Sequence, residues 1–465
     1  MDSRKNIVMS PEYDVFICHR GPDTKHNVVS VLRGMLRCIG ITCFVDYQMD
    51  MGIDVKSGIS AAIQNSKVFI IIMSPQFASS TWCLEEVVQI ISNPDPKVIP
   101  VFYDVHQNKP YDLSQHKGRN DGKIDNWCKV LEVACSFDGF DYNNEDTLQW
   151  ERLVEIVARV GYFLKLPNII SNPGAKMPSS GNCVDYDVFI CHWRPDTQRN
   201  VVSVLRGMLL SRGSIPFVVG YGSEEGERQL DSEIINAIEN SRVHVIILSP
   251  GFGSCKRCLQ EVVHIMNIQN SPCTSDTRRK PKVLPIFYNV RPSDVRYQGS
   301  KTAFYLNKVE RSTDEDRKSW AVALKGLSMF KGLEYETGKT FQWERLCDIV
   351  KLTKGSATEV MNDGSECETL YKEEINEVLK ELESQDAVED VLLVGIYGYQ
   401  KTNFSYLLVE TVGRNFDRIY RLTNVMKKVC PQDGVSRIIQ EMCSNLIQVQ
   451  PGTSNDARNE LLFEK

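Results

Sequence analysis

The sequence has little that would hold it in a membrane, export it or attract it to nucleic acid. Its 465 residues include 54 Lys and Arg against 60 Asp and Glu, and a net charge of −6 offers no basic field for nucleic acid or acidic lipid. The apolar run Val68 to Met73 is far shorter than the ~20 residues of a membrane-spanning helix. No apolar segment of the kind found in signal peptides follows residues 1–11. We therefore expect a cytoplasmic or nucleocytoplasmic protein.

The 15 cysteines do not form a disulfide or metal pattern. They are scattered and odd in number, which favours reduced thiols. Cys255 and Cys258 make one C-x-x-C pair, but no second pair or suitably spaced histidine accompanies them, so we expect no metal site. With 42% hydrophobic and 25% charged residues the composition is that of a globular protein, and the length predicts about three domains at ~150 residues each.

What the sequence does have is an internal repeat. Residues 13–36 and 186–209 differ at only four of 24 positions, and the likeness continues to the LQWERLVEIV and FQWERLCDIV segments that contain Trp150 and Trp343. The offset between copies grows from 173 to 193 residues, so the second copy carries about twenty more residues. Trp127 and Trp320, like Trp150 and Trp343, are matched pairs, which predicts that they lie in the core of each copy.

Each copy alternates short apolar runs with helical patterns. The runs in the first copy are Val15–Cys18, Ile41–Val45, Val68–Met73 and Val98–Tyr103. Continuous apolar runs indicate strands buried on both faces, and the β–α–β–α order predicts a doubly wound parallel sheet. Ligands of such sheets bind at the carboxyl ends of the strands.

The motifs YDVFICHRGPDT, SPQFASSTWCLEEV and VIPVFYDV together resemble the plant TIR (Toll/interleukin-1 receptor) domain. The segment VGIYGYQKT, after an acidic stretch, resembles the start of the NB-ARC nucleotide-binding domain of plant immune receptors. The resemblance implies an α/β fold: two flavodoxin-like TIR domains, each a five-stranded parallel sheet with helices on both faces, plus a partial P-loop-type segment.

Five regions follow from the repeat, the composition and this resemblance. They are a first TIR domain (1–166), a linker (167–184), a second TIR domain (185–354), an acidic helical connector (355–390) and a truncated NB-ARC-like segment (391–465). Tyr371 to Glu383 reads as a charged, solvated helix, with an acidic binding tail as the alternative.

The resemblance implies that the first copy cleaves the nicotinamide–ribose bond of NAD⁺, with Glu86 as the catalytic glutamate. A carboxylate suits this chemistry because glycosidic cleavage builds positive charge on the ribose. Arg20, Ser80, Trp82 and Gly52 match family positions for substrate binding. From the residues alone, Glu86 is equally a solvated helix flank, Arg20 a partner of Asp23, and Ser80 a helix N-cap.

Both copies depart from the family pattern. In the first, Met51 stands before Gly52 where many relatives have arginine, and Val31 follows Ser30 where relatives often carry histidine in a self-association face. In the second, Trp193, Cys255 and Arg257 replace Arg20, Ser80 and Trp82. Arg257 lies one helical turn from Glu261, the equivalent of Glu86, so we expect an ion pair and an inactive site.

The third region lacks the parts of a nucleotide switch. A P-loop needs G-x-x-x-x-G-K-[ST], whereas Gly398, Lys401 and Thr402 leave only two residues between glycine and lysine. We expect no ATP or ADP binding and no permanently bound cofactor, with NAD⁺ as the candidate substrate.

Two functions remain open at this stage. One is a plant defence signalling enzyme, an NAD⁺ glycohydrolase (NAD⁺ nucleosidase) acting through the first TIR domain. The other is a catalytically weak adaptor that regulates other TIR receptors through TIR–TIR association. Both imply TIR domains as partners, in homo- or hetero-oligomers, and neither requires nucleic acid or a membrane span.

Overall fold

The computed structural model describes residues 13–48, 54–107, 111–118, 121–166, 186–221, 230–271 and 280–353, together with 395–396 and 463–464. Contacts divide the chain into two compact units, residues 1–37 with 41–356, and residues 38–40 with 357–465. Both copies of the repeat belong to the first unit. In the second unit, the two short strands Gly395–Ile396 and Phe463–Glu464 pair in parallel.

Within the described residues, the first copy alternates strands and helices as its apolar runs predict. Its strands are β1 (Tyr13–His19), β2 (Cys43–Phe44), β3 (Ser66–Met73), β4 (Lys97–Tyr103) and β5 (Phe140–Tyr142). Its helices are α1 (Gly21–Thr24), α2 (Ser30–Cys38), α3 (Val55–Gln64), α4 (Thr81–Ile91), α5 (Asp121–Ser136) and α6 (Gln149–Phe163).

The second copy repeats this order. Its strands are β6 (Val188–His192), β7 (Pro216–Val218), β8 (Val243–Leu248), β9 (Lys282–Tyr288) and β10 (Leu333–Tyr335). Its helices are α7 (Arg194–Thr197), α8 (Ser203–Ser211), α9 (Ser232–Asn240), α10 (Lys256–Asn270), α11 (Pro292–Tyr297), α12 (Asp314–Leu327) and α13 (Gln342–Thr353).

Each copy forms one five-stranded parallel sheet with the flavodoxin-like strand order. The order is β2-β1-β3-β4-β5 in the first copy and β7-β6-β8-β9-β10 in the second. Phe16 pairs with Phe44 on one side and Phe69 on the other, which aligns the carboxyl ends of β1 and β3 at one edge. The predicted fold class is confirmed for both copies. In this topology the crevice beside the first strand is where ligands bind.

The chain leaves the first strand of each copy by an unusual path. After α1, residues Lys25–Val29 form a π-helical turn before α2 begins, and Gln198–Val202 do the same between α7 and α8. Single π-helical turns are rare and often occur at functional sites. Here the turn joins the carboxyl edge of the sheet to the helix that follows it.

Several predicted features lie outside the described residues. These are Gly52 and Met51, the linker 167–184, the connector 355–390 and the P-loop-like residues Gly398, Lys401 and Thr402. The strand at Gly395–Ile396 is the described part of the VGIYGYQKT segment. Among the tryptophans, Trp127 and Trp320 are buried in the cores of their own copies.

Candidate functional site

Glu86 lies on α4, whose first turn is capped by Ser80. The Ser80 hydroxyl accepts a hydrogen bond from the Cys83 backbone N–H over 3.3 Å, as expected of an N-cap. The helical pattern did not distinguish Glu85 from Glu86, but the structure does. Glu85 bonds Lys123 and the Trp127 indole N–H on the outer side, whereas Glu86 is only 7% exposed.

The Glu86 carboxyl is buried beside the carboxyl end of β1. The Cys18 thiol is its polar neighbour and lowers its pKa, and no ion pair to a cationic side chain involves Glu86 among the described residues. Burial raises the pKa of Glu86 to about 7, and the negative charge of Asp46 acts in the same direction. Glu86 is therefore a carboxyl group that titrates near neutral pH in a site at the expected edge of the sheet.

His19 and Asp46 lie next to this carboxyl. His19, the last residue of β1, is buried, with Nδ1 3.0 Å from the Thr24 hydroxyl and Nε2 3.5 Å from the Asp46 carboxylate. Burial opposes ionisation of Asp46, but the interaction with the His19 ring and the hydrogen bond from the Tyr47 N–H outweigh it and lower the pKa of Asp46. The first copy thus places the Asp46 carboxylate beside the His19 imidazole, and the charge of Asp46 acts on Glu86.

Arg20 is held at the rim of the same edge by neutral and acidic partners. Its guanidinium donates to Asp23 over 2.5 Å and to the Ser79 hydroxyl over 3.2 Å. Asp23 in turn accepts a bond from Ser74, which follows β3. The pairing with Asp23 expected from sequence is present, and a phosphate-binding role for Arg20 stays a prediction.

Trp82 lies on the first turn of α4 with its ring open to solvent. Its side chain is 54% exposed, although Glu86, one turn later, is buried. An exposed indole at this point is available to stack on a flat ring. Its assignment to substrate binding stays a prediction, as does that of Ser80.

The second copy fills the corresponding site with its own cation. Arg257 donates to the Glu261 carboxylate and, over 3.3 Å, to the His192 carbonyl oxygen, and the predicted i,i+4 ion pair is present. Glu261 is fully buried and Arg257 is 7% exposed. Burial opposes charge on both groups: it raises the pKa of Glu261, and it also opposes the charge of Arg257, whose pKa is nevertheless raised by the Glu261 carboxylate. A carboxylate held in this way has no free face for a ligand.

Trp193, which replaces Arg20, closes the rim of the second site. A Cβ atom at Gly251 would lie 2.4 Å from the Trp193 ring, so the ring lies directly on the backbone of Gly251. The Gly251 N–H donates to Asp196 over 2.7 Å. Cys255 takes the capping place of Ser80, accepting from the Cys258 N–H over 3.3 Å. Cys258 donates its thiol hydrogen to the His192 carbonyl, so the C-x-x-C pair takes part in packing and capping.

The self-association face predicted around Ser30 is used inside this chain. Helices α2 and α6 of the first copy pack against α8 and α13 of the second. At the centre, the buried side chains of Gln149 and Gln342 donate to each other, over 3.4 and 3.0 Å. Equivalent residues in mutual contact indicate an approximate two-fold relation between the copies.

Tryptophan side chains of each copy cover a glycine of the other. A Cβ atom at Gly34 would lie 2.0 Å from the Trp343 ring, and one at Gly207 would lie 2.0 Å from the Trp150 ring. Trp150 is buried, as its matched position predicts, and Trp343 is half-buried. They pack between the copies, because the faces of α6 and α13 that carry them are turned toward the other copy.

Polar bonds surround these rings on the side of the first copy. The Ser30 hydroxyl donates a hydrogen bond to Glu344 over 3.0 Å and accepts one from the backbone N–H of Trp343 over 3.0 Å. Arg33 lies 3.3 Å from the same Glu344 carboxylate. Val31, where relatives often carry histidine, is fully buried. The serine thus keeps its place in the interface without a histidine beside it.

In the other half of the interface, the serine makes equivalent hydrogen bonds but the surrounding side chains differ. The Ser203 hydroxyl donates a hydrogen bond to Glu151 over 2.9 Å and accepts one from the backbone N–H of Trp150 over 2.9 Å. The Tyr221 hydroxyl also donates to Glu151, over 2.8 Å, and the Arg206 guanidinium lies 4.4 Å from the Tyr221 ring centroid. The two halves therefore have the same serine contacts at the centre of the interface, whereas the contacts around them differ.

Two kinds of feature are absent from the described residues. No helix there is long and apolar enough to cross a membrane. No group of three or more His, Cys, Asp or Glu side chains there is arranged to hold a metal ion.

The sequence reasoning missed Cys18, Asp46 and Tyr47 as neighbours of the site. Asp46 and Tyr47 follow β2 after one intervening residue, so they lie at the carboxyl edge of the sheet where ligands bind. That position is the available signal for Asp46. Nothing in the sequence points to the proximity of Cys18 and Glu86, because it depends on how α4 packs against β1.

Comparison with known proteins places these observations in a family. Relatives include the disease resistance-like protein DSC1 of Arabidopsis thaliana, 26% identical over 58% of this chain and 22% of that protein. Disease resistance protein RPP2B of the same plant is 33% identical over 33% of this chain and 14% of its own length. The chain spans about a fifth or less of these relatives. A solved structure of Roq1 resistosome TIR domains is 28% identical over 32% of this chain and 99% of that chain, with a TM-score of 0.30.

A family model accounts for most of the described chain. The TIR domain model matches residues 12–181 and again residues 185–368, which together contain both parallel sheets. The chain belongs to the TIR domain family.

Proposed function

We propose that the chain is a defence signalling protein whose first TIR domain cleaves the nicotinamide–ribose bond of NAD⁺. The relatives named as plant disease resistance proteins support the defence role. The observation that carries the enzymatic part is the state of Glu86, a buried carboxyl group free of ion pairs among the described residues, at the ligand-binding edge of the sheet.

In this proposal, Glu86 acts as a carboxylate beside the ribose. As the bond to nicotinamide breaks, positive charge develops on the sugar, and a buried carboxylate stabilises it more strongly than an exposed one. Because the pKa of Glu86 is about 7, only part of the population carries the charge at neutral pH. Nicotinamide release should therefore increase as the pH rises through about 7. The exposed Trp82 ring offers a surface for the nicotinamide or adenine.

The experiment incubates the purified full chain with NAD⁺ and follows free nicotinamide. Glu86→Ala should abolish the release, and Glu85→Ala, which alters the neighbouring glutamate on the outer side of the same helix, is the matched control that should retain it. Absence of turnover in the wild type, also under crowded conditions that favour TIR assembly, would reject the enzyme. Equal turnover in Glu86→Ala and wild type would show that Glu86 is not the catalytic group.

A second candidate function is a TIR adaptor that regulates other TIR proteins by association. The occupied second site, in which Arg257 neutralises Glu261, supports it, because this copy then serves in pairing rather than in chemistry. The face around Ser30 and Ser203 is already used between the copies, so other TIR domains would have to bind elsewhere. Light scattering and capture with a second TIR protein test this function, and a chain that binds none would argue against it.

A further inference from the structure

Four side chains form a contact that extends from the second copy to the carboxyl edge of the first copy's sheet. We name this set, Lys25, His26, Tyr47 and Phe341, the aromatic bridge. Phe341 precedes α13, and its ring centroid lies 4.7 Å from that of His26 and 5.6 Å from that of Tyr47. The Lys25 ammonium lies 4.8 Å from the Tyr47 centroid and 5.6 Å from that of Phe341. Ring packing and cation–π attraction thus hold Tyr47 against the second copy.

Tyr47 connects this contact to the site. Its ring meets the His19 ring edge-on, with centroids 6.0 Å apart. Asp46, the preceding residue, places its carboxylate 3.5 Å from His19 Nε2 and contributes negative charge that acts on Glu86. A displacement of Tyr47 would therefore move the Asp46 carboxylate, whose charge acts on Glu86, and the His19 imidazole beside that carboxylate.

The Tyr47 hydroxyl does not hold the side chain in place. Among the described residues its buried oxygen has no hydrogen-bond partner. The residue borders a cavity of about 550 Å³ between the copies that Arg33, Phe341 and Glu344 also line. Burying a hydroxyl without a partner is unfavourable. The packing of the ring with Phe341 and Lys25 must therefore supply the stabilisation that keeps Tyr47 here.

The aromatic bridge is not repeated at the equivalent positions for the opposite direction. There the chain carries Gln198, Arg199, Gly220 and Leu148, and Tyr221, beside Gly220, instead donates to Glu151. Val219 occupies the position of Asp46, so the second copy also lacks the carboxylate beside its strand-end histidine. The coupling therefore leads only to the copy whose glutamate is not in an ion pair.

We propose that Phe341 of the second copy is a positioning residue for the first copy. Through the Tyr47 ring it holds Asp46 and His19 beside Glu86, so that pairing of the two copies prepares the first site. The inference rests on the proposed function, because the site it acts on is the Glu86 site. Its structural part is nevertheless measurable without turnover.

The first test uses the full chain with ¹³C-labelled histidine, in which seven ring signals are expected. Single histidine variants assign the signals. Phe341→Ala should shift the signal of His26, which it touches, and also that of His19, which it reaches only through Tyr47. Phe341→Leu keeps most of the side-chain volume and introduces the residue type found at the equivalent position, Leu148. It should shift the His19 signal in the same way. The signal of His192 should stay unchanged in both variants.

Matched variants separate the ring from other effects. Tyr47→Phe removes the unpartnered hydroxyl and keeps the ring, so the His19 signal should stay close to that of the wild type. Tyr47→Ala should reproduce the shift caused by Phe341→Ala. Leu148→Ala alters the equivalent position on the other side of the interface and should leave His19 unaffected. Phe341→Tyr restores an aromatic ring and should restore the His19 signal.

The second test follows nicotinamide release in the same proteins. Phe341→Ala should lower kcat about tenfold with little change in KM, since small misplacements of catalytic groups reduce turnover, and Phe341→Tyr should recover it. A His19 signal that does not respond to Phe341→Ala or Phe341→Leu would overturn the inference whatever the activity. If the wild type releases no nicotinamide, the proposed function fails, and the His19 signal alone decides the inference.

Discussion

At the residue scale, the two copies treat the same glutamate in opposite ways. Glu86 is buried beside the Cys18 thiol with no ion pair among the described residues, whereas Glu261 is buried against the guanidinium of Arg257. Burial raises the pKa of both carboxyl groups, and only in the second copy does an arginine charge oppose this rise. One substitution on one helical turn, Trp82 in the first copy and Arg257 in the second, separates these two states.

The first prediction concerns Glu86→Gln and the pH dependence of stability. Burial raises the pKa of Glu86 from its ordinary value of 4.5 to about 7, so the protonated form favours the folded state. This contribution is complete below pH 4.5 and is lost as the pH rises through about 7, a change of about 3 kcal/mol. Glutamine mimics the protonated carboxyl at every pH.

We therefore expect Glu86→Gln to match the wild type at pH 4.5 and to be the more stable protein at pH 8. Thermal unfolding of both full chains across this pH range measures the difference. A difference in melting temperature that is the same at both ends of the range would show that Glu86 does not titrate in this way.

The second prediction concerns Arg257→Met. Methionine removes the guanidinium and leaves the fully buried Glu261 carboxylate without a cation, which should destabilise the second copy by about 3–5 kcal/mol. Adding Glu261→Gln removes the uncompensated charge and should recover most of this loss. Calorimetric unfolding of the full chain provides the measurement. Trp82→Met, at the exposed equivalent position, is the control and should change stability by no more than about 0.5 kcal/mol.

At the scale of elements, the interface depends on two glycines that let helices approach closely. Gly34 on α2 and Gly207 on α8 each lie under a tryptophan ring of the other copy, with no room for a methyl group. The serine at the start of each of these helices accepts a hydrogen bond from the backbone N–H of the opposing tryptophan. Small residues and paired hydroxyls thus give α2 and α8 the shape that the opposing helices require.

The third prediction is that Gly34→Ala and Gly207→Ala each weaken the interface by about 1–3 kcal/mol, because the added Cβ would lie 2.0 Å from a tryptophan ring. Increased hydrogen exchange in α6 and α13 would report this loss. Gly122→Ala is the control, since a Cβ at Gly122 meets no atom within 4 Å. Alanine there should be neutral or slightly stabilising. Unchanged exchange in both interface variants would contradict the close approach.

At the scale of the whole molecule, the first unit behaves as a pair of TIR domains joined in one chain. The central Gln149–Gln342 contact and the two glycine–tryptophan contacts bury a face that a single TIR domain would expose. Because the copies are covalently linked, their effective concentration is high, and pairing within the chain is favoured over pairing between chains.

The fourth prediction is that the two copies stay together when the covalent link between them is cut. A protease site inserted at residues 172–176 and cleaved after purification should leave both fragments in one peak on size exclusion. The Gly34→Ala/Gly207→Ala double variant should instead release them, because both tryptophan contacts are lost. Fragments that separate in the wild type would show that the linker, and not the interface, holds the copies together.

Much of the fold and part of the site could be predicted from local patterns. Apolar runs with β-branched residues determine β1, β3 and β4, and their alternation with helical periods determines the parallel sheet. The spacing of Arg257 and Glu261 determines their ion pair, because residues four apart on a helix are neighbours. The repeat singles out Glu86 through its match with Glu261, although the helical pattern does not.

What the sequence by itself determined is the presence of two copies of one α/β domain and the candidate glutamate in each. Only the tertiary structure decided that Trp150 and Trp343 pack between the copies, that Cys18 and Asp46 surround Glu86, and that Phe341 contacts Tyr47. The physical reason is the separation along the chain over which each kind of pattern acts. Periodicity and spacing act over a few residues, whereas Tyr47 and Phe341 are almost three hundred residues apart and meet only because two folded surfaces fit together.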